Sequence, residues 1–219
     1  MTHLGSASVT GAGRTVEVLK SERTSIALGQ APIVPIPGAR NLLDNGDFGR
    51  GLEGWIATAD AEDPVMGSTT TGVDDGRSVV VFQRYGGLKH GENRIFQAVS
   101  RDTTDFDVLK FRFDYKINAQ SLSGGGWQGS EYPIKVRLRY RDIYYSETLL
   151  VRGFFIQNDA GYSEVGGQAV PKAQWQTFEL DLLNPAQVNP RPTTLLSVEI
   201  SASGWDYSSR ITNAALLAE

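Results

Sequence analysis

The chain contains no cysteine and only two histidines, His3 and His90, in 219 residues. Without cysteine there are no disulfides, no zinc–thiolate sites and no cysteine nucleophile. Two histidines so far apart leave no His-x-x-x-His metal pair. No apolar run approaches the roughly 20 residues that span a bilayer, and the opening MTHLGSASVTGAGRT lacks the apolar stretch of a signal peptide. A basic excess is missing as well. The formal net charge of −4 provides no global field to draw nucleic acid or an anionic membrane. Helical spacing is nowhere sustained, and Pro185, Pro190 and Pro192 break the one candidate stretch.

What the chain does have is alternation. In 108–118 (VLKFRFDYKIN), Leu109, Phe111, Phe113, Tyr115 and Ile117 share one face, with Lys110, Arg112, Asp114, Lys116 and Asn118 on the other. In 134–141 (IKVRLRYR), Ile134, Val136, Leu138 and Tyr140 oppose Lys135, Arg137, Arg139 and Arg141. A period of two over this length marks strands with one buried and one wet face. The same reasoning predicts strands at 55–60, 78–83, 94–100, 147–156, 174–182, 195–203 and 211–217. The 24 glycines and the 10% aromatic share suit strands joined by tight turns. A chain of this length buries a sizeable core as one domain. The expected class is all-β, an antiparallel β-sandwich with jelly-roll connections.

The chain divides near Arg40. Segments 14–20 and 23–29 alternate and predict a hairpin across Ser21-Glu22. Pro32, Pro35 and Pro37 then stiffen 31–40 into an extended linker. Charge changes at the same place: Arg14, Lys20, Arg23 and Arg40 against Glu17 and Glu22 give +2, leaving −6 for the remainder. Residues 1–30 therefore read as a β-hairpin remnant or a disordered leader, 31–40 as a proline-rich linker and 41–219 as the folded module.

The stretch 41–55, NLLDNGDFGRGLEGW, sets Leu42, Leu43, Phe48, Leu52 and Trp55 among tight Asn-Gly and Gly-rich turns. Such turns must tuck the apolar anchors under a sheet. The pattern resembles the opening of galactose-binding-like jelly-roll carbohydrate-binding modules, Asn-Leu-hydrophobic-x-Asn-Gly-x-Phe followed by Gly-hydrophobic-x-x-Trp. HGEN at 90–93, SLSGGGWQGSEYP at 121–133 and SGWDYSSRITNAAL at 203–216 look like segments of jelly-roll domains in large bacterial surface proteins. Gly-Arg-Thr-Val-Glu-Val at 13–18 with the Gly-Gln-x-Pro exit at 29–32 resembles the end of a FecR-like (iron-dicitrate-sensor-type) β-domain. These resemblances imply a non-catalytic glycan-binding module in an extracytoplasmic bacterial protein, with neighbouring domains in a longer exported chain. The rival they also imply is a structural or sensory ectodomain module that contacts protein. An apolar patch continuous with Ile33, Val34 and Ile36 would mark that rival.

Three polar, aromatic loops carry the candidate chemistry: 84–94 (RYGGLKHGENR), 119–132 (AQSLSGGGWQGSEY) and 203–210 (SGWDYSSR). A sugar ring presents apolar C–H faces edged with hydroxyls, so recognition needs a flat aromatic beside hydrogen-bonding groups. Trp127, Glu131 and Tyr132, with Trp205, Asp206 and Tyr207, supply both if the loops converge, and His90 and Glu92 join them. Trp55 and Trp175 read as core or edge packing. Enzyme readings are poorer. Glu92, Glu131, Glu164 and Asp206 are the acids that a glycosidase pair would draw on, and a Ser/His/Asp arrangement depends on His90 with no Gly-x-Ser-x-Gly elbow beside it. The expectation is a binding protein without catalysis.

Modules of the resembled type carry a structural Ca²⁺ held by an acid just after Asn-Gly-x-Phe and another in the last strand. Those positions are Gly49 and Thr212 here, leaving Asp44, Asp47 or Asn213 as substitutes. Ca²⁺ takes 6–8 oxygens, usually with charged carboxylates among them, so no cofactor is expected. EDTA should leave the melting temperature unchanged. A fall of more than about 5 °C, over ~1 kcal/mol for a domain this size, would contradict the expectation.

Overall fold

A computed structural model describes residues 5–19, 22–162 and 166–219; His3, Lys20, Ser21 and Glu164 lie outside the described residues. Every regular element among the described residues is a strand, and no helix is long and apolar enough to cross a membrane. At the N-terminus, β1 (Ala7–Gly11) and β2 (Arg14–Val18) form an antiparallel hairpin, while β3 (Glu22–Arg23) pairs with β4 (Ile36–Pro37). The expected pairing of 14–20 with 23–29 is thereby corrected. Residues Ala12 and Gly13 both take positive φ (44° and 76°), the geometry of a two-residue hairpin turn, so 14–18 folds back on 7–11 instead.

The sandwich starts at β5 (Arg40–Asn41). One sheet runs in the order β14 (Gln176–Asp181), β10 (Leu109–Gln120), β16 (Tyr207–Ala218), β8 (Arg77–Arg84), β7 (Ser68–Asp74), with β5 also paired to β16. The other runs β13 (Gly167–Ala169), β12 (Glu147–Phe155), β11 (Ile134–Asp142), β15 (Pro192–Gly204), β9 (Gly91–Asp102), β6 (Ile56–Ala61). All sandwich pairings are antiparallel except β12 with β13. The fold is an all-β jelly-roll sandwich, and each of the nine expected strands overlaps an observed one. Among the strands that were not expected the longest is β7, whose sequence STTTGVD has no apolar alternation. It lies at a sheet edge with most of its residues exposed, so burial never shaped its sequence.

The first and last strands of the sandwich meet. Leu217 pairs with Asn41, the Leu42 N–H donates to the Leu216 carbonyl at 2.8 Å, and the Ala214 N–H donates to the Gly46 carbonyl at 2.8 Å. Leu43, Phe48 and Trp55 are core residues, and the Phe48 and Trp55 rings lie 5.6 Å apart. The Asn45 side chain organises this turn, donating to the carbonyls of Gly51 and Glu53 and accepting from the Arg50 N–H.

Phe111, Phe113, Tyr115 and Ile117 of β10 face Ile134, Val136, Leu138 and Tyr140 of β11 across a shared core. Phe154 of β12 bridges the two sheets, with centroids 4.5 Å from Tyr115, 5.2 Å from Phe178 and 6.1 Å from Phe113. The alternate faces, expected to be wet, are partly covered. Lys116 and Asp114 are buried, Lys116 by ion pairs to Asp74 and Asp75 and by Trp175, whose ring it approaches at 5.0 Å. Lys135 is buried as well. Loops folded over the strands, and ion pairing beneath them, remove water from positions that sequence alternation assigns to solvent. Truncating the bridge, Phe154→Ala, should cost about 3–5 kcal/mol in urea unfolding, from lost transfer energy plus a cavity.

Candidate functional site

β9 and β11 begin, and β8 and β15 end, at one pole of the sandwich, so the three flagged loops converge there. They enclose a cleft of about 650 Å³ lined by Glu62, Leu88, Lys89, His90, Trp127, Gln128, Ser130, Glu131 and Trp205. Four of the residues singled out from sequence therefore meet: His90, Trp127, Glu131 and Trp205. Trp127 is 83% exposed and Trp205 42%, a large amount of indole surface to leave in water. His90 Nδ1 lies 2.5 Å from Glu131 Oε1, which ties the first loop to the second and orients the imidazole. Glu62, Leu88, Lys89, Gln128 and Ser130 were not singled out. Glu62 sits outside all three loops and is brought in by its N–H, which donates to the His90 carbonyl at 2.9 Å.

The remaining four candidates stand behind the cleft rather than in it. Tyr132 is 2% exposed, and a Cβ at Gly125 or Gly153 would collide with its ring. Gly125 is thus required by the buried tyrosine beneath it, while Gly124, Gly126 and Gly129 take positive φ. Tyr207 is a core residue whose hydroxyl donates to Asn93 Oδ1 at 2.5 Å. Asp206 ties loops together: its carboxylate accepts from the Gly87 N–H at 3.0 Å and its carbonyl from the Ser121 N–H at 3.1 Å. Tyr132 and Tyr207 are inaccessible to a surface ligand, because aromatic burial outweighs their polar tips.

Glu92 is also corrected from contact to support. It is buried between Lys135, 3.1 Å away, and Arg137, 2.7 Å away. Burial alone would raise its carboxyl, but the two cations hold it down at about 2. Burial also keeps the Lys135 ammonium below the ordinary lysine value despite Glu92. Lys135 Nζ donates to the Ser130 carbonyl at 2.9 Å and to Ser203 Oγ at 3.0 Å, so this ion pair anchors the loop bearing Trp127 and Glu131 to β15.

Two acids exposed in part, Glu62 and Glu131, line the cleft, yet Glu131 is committed to His90. Among the described residues no group of three His, Asp or Glu side chains is placed to hold a metal. At the N-terminal turn, Asp44 is bound by Arg50 at 2.8 Å and Asn45 is spent on backbone groups. The Asp44 carboxylate at this turn is therefore already partnered by a guanidinium.

No protein-family model matches the chain, and no curated protein matches it in sequence. Solved structures do. The enzymatically active domain of tailspike protein 4 of bacteriophage CBA120 superposes with a TM-score of 0.51 at 12% identity, over 82% of this chain and 21% of that one. The chain thus spans about a fifth of the length of that tailspike structure. A family 61 carbohydrate-binding module solved with β-1,4-galactotriose gives 0.45 at 15% identity, over 82% of this chain and 99% of that one. The family 11 carbohydrate-binding module of a Clostridium thermocellum cellulosomal cellulase gives 0.47 at 14% identity, over 83% and 95%. At these identities the likeness is one of fold.

The Glu92 cluster yields a pH prediction. Folded Glu92 stays ionised down to about pH 2, against an ordinary value of 4.5. Its stabilisation is therefore complete above ~pH 4.5 and lost as the pH falls through about 2. Glu92→Gln should flatten this acid limb in urea titrations. At pH 7 it should cost about 3–5 kcal/mol, since Lys135 is left buried without its anion.

Proposed function

We propose that the module is a non-catalytic glycan-binding domain whose ligand lies in the polar-loop cleft, stacked on Trp127 and Trp205. The observation that carries this reading is the pair of solvent-facing indoles in one cleft, edged by a carboxylate, an amide, an imidazole and an ammonium. Indole faces match the C–H faces of a pyranose, and Glu62, Lys89, His90, Gln128 and Glu131 match its hydroxyls. Among the described residues the side chains of Lys89 and Glu62 make no ion pair or hydrogen bond, so both are available to a ligand. Tyr132, Glu92, Asp206 and Tyr207 hold the frame. The cleft is open to solvent, so affinity should be modest, on the order of 10–1000 μM. Such a domain fits an extracytoplasmic protein in which other domains perform any chemistry.

A second reading has its own observation. Leu19, Ile26, Leu28, Ile33, Val34 and Ile36 are all exposed within the N-terminal segment, which favours an additional apolar contact with protein, as at the end of a sensor-type domain. It concerns a different part of the chain and leaves the cleft reading intact.

A glycan array followed by calorimetric titration tests the proposal. Trp127→Ala and Trp205→Ala should each weaken binding at least about tenfold, or about 1.4 kcal/mol, with unchanged melting temperature for the exposed Trp127. Binding that survives both substitutions would remove these residues from the site. Absence of binding to any glycan would favour the protein-contact reading.

A further inference from the structure

Arg84, at the end of β8, is 1% exposed and spends its guanidinium on the segments that line the cleft. Its Nε donates to the Val65 carbonyl at 2.9 Å. One terminal nitrogen donates to the carbonyls of Lys89 at 2.7 Å, Gly204 at 2.7 Å and Trp205 at 2.9 Å. The other meets Asp63 Oδ1 at 2.6 Å. The second Asp63 oxygen accepts the N–H groups of Leu88 at 2.8 Å and Lys89 at 3.0 Å. A Cβ at Gly87 would sit 2.6 Å from Arg84 Cζ, and one at Gly91 would collide with the same group. The two glycine backbones therefore close on the guanidinium, which accounts for the spacing of glycines in RYGGLKHGEN.

The geometry points to Arg84 as the positioning residue of the cleft: one buried guanidinium, completed by Asp63, fixes Trp205, Lys89 and His90 in the arrangement that receives the ligand. This inference rests on the cleft being the glycan site. Only a planar fork meets these acceptors. Five oxygens from three segments approach it in different directions, whereas a lysine ammonium supplies three donors from one point. The consequence for binding is pre-organisation. A weakly bound, open-cleft ligand gains most when the loops are ordered before it arrives, because the cost of ordering them is not charged against its few contacts. Lys135 performs the related task for the 121–132 loop, donating to the Ser130 carbonyl and to Ser203 Oγ.

The test compares wild type with Arg84→Lys and Arg84→Met, using two readouts. The first needs no ligand: ¹⁵N relaxation of the four indole N–H groups. Both variants should mobilise the Trp205 indole, Met more than Lys, while those of Trp55 and Trp175 keep their wild-type order and the β-sheet circular dichroism persists. The second is affinity for the strongest oligosaccharide of the glycan array, expected to fall at least about tenfold in Arg84→Met and by an intermediate factor in Arg84→Lys. Should Arg84→Met lose its sheet signal, Arg84→Lys decides alone. Unaltered Trp205 order in Arg84→Lys, or loosened Trp205 with affinity within twofold of wild type, overturns the inference. If wild type binds no glycan, the reading of the cleft falls, and the relaxation result alone decides whether Arg84 positions it.

Discussion

The structure depends on one cross-sheet contact, the seating of Phe154 against Phe113 and Tyr115. Phe113 and Tyr115 belong to β10, Phe154 to β12, and the three rings join the two sheets across the core. Aromatic pairs at 4.5–7 Å add directional preference to their hydrophobic burial, so the contact sets spacing and relative twist as well as stability. Once the sheets are fixed, the ends of β8 and β15 and the starts of β9 and β11 fall at one pole. The loops leaving them have no choice but to converge.

Convergence creates a second problem, since loop carbonyls crowded at a sandwich end lose their water. An unmet buried acceptor is costly. Here the acceptors are met by two buried cations, Arg84 and Lys135, each neutralised by a carboxylate, Asp63 or Glu92. The result is a polar floor with its acceptors met, and Trp127, Trp205 and Leu88 are left facing solvent. Exposed indole above a hydrogen-bonded polar floor is the physical meaning of the candidate site.

The fold was largely legible because period-two alternation reports burial directly. VLKFRFDYKIN and IKVRLRYR each gave a strand with the correct inward face, and the turn chemistry of 41–55 placed Phe48 and Trp55 in the core. The alternation failed where burial did not act: β7 has no hidden face to inscribe. It also misled where loops cover strands, so Lys116 and Lys135 read as wet when both are buried. The N-terminal hairpin turns at Ala12-Gly13, where both residues take positive φ, and alternation in 14–20 and 23–29 does not report which turn closes it. In the loops, sequence identified the right segments but not the division of labour within them. Trp127, Trp205, His90 and Glu131 face the cleft, whereas Tyr132, Tyr207 and Glu92 lie beneath it. Nothing in a short loop sequence distinguishes an aromatic that stacks on a ligand from one that packs on glycine. Gly125 of GGGW and Gly87 and Gly91 of YGGLKHGEN were the available signal, because each lies against a large buried group, Tyr132 or Arg84.

The central claim is that the tryptophans at this pole receive a glycan. The chain has four tryptophans, so an indole ¹H–¹⁵N spectrum offers four resolvable probes, two in the cleft and two elsewhere. On titration with a bound oligosaccharide, the signals of Trp127 and Trp205 should shift with one common saturation curve while those of Trp55 and Trp175 stay in place. Shifts confined to Trp175, on the face of the β10–β16 sheet, would contradict the account and move the binding surface away from the cleft.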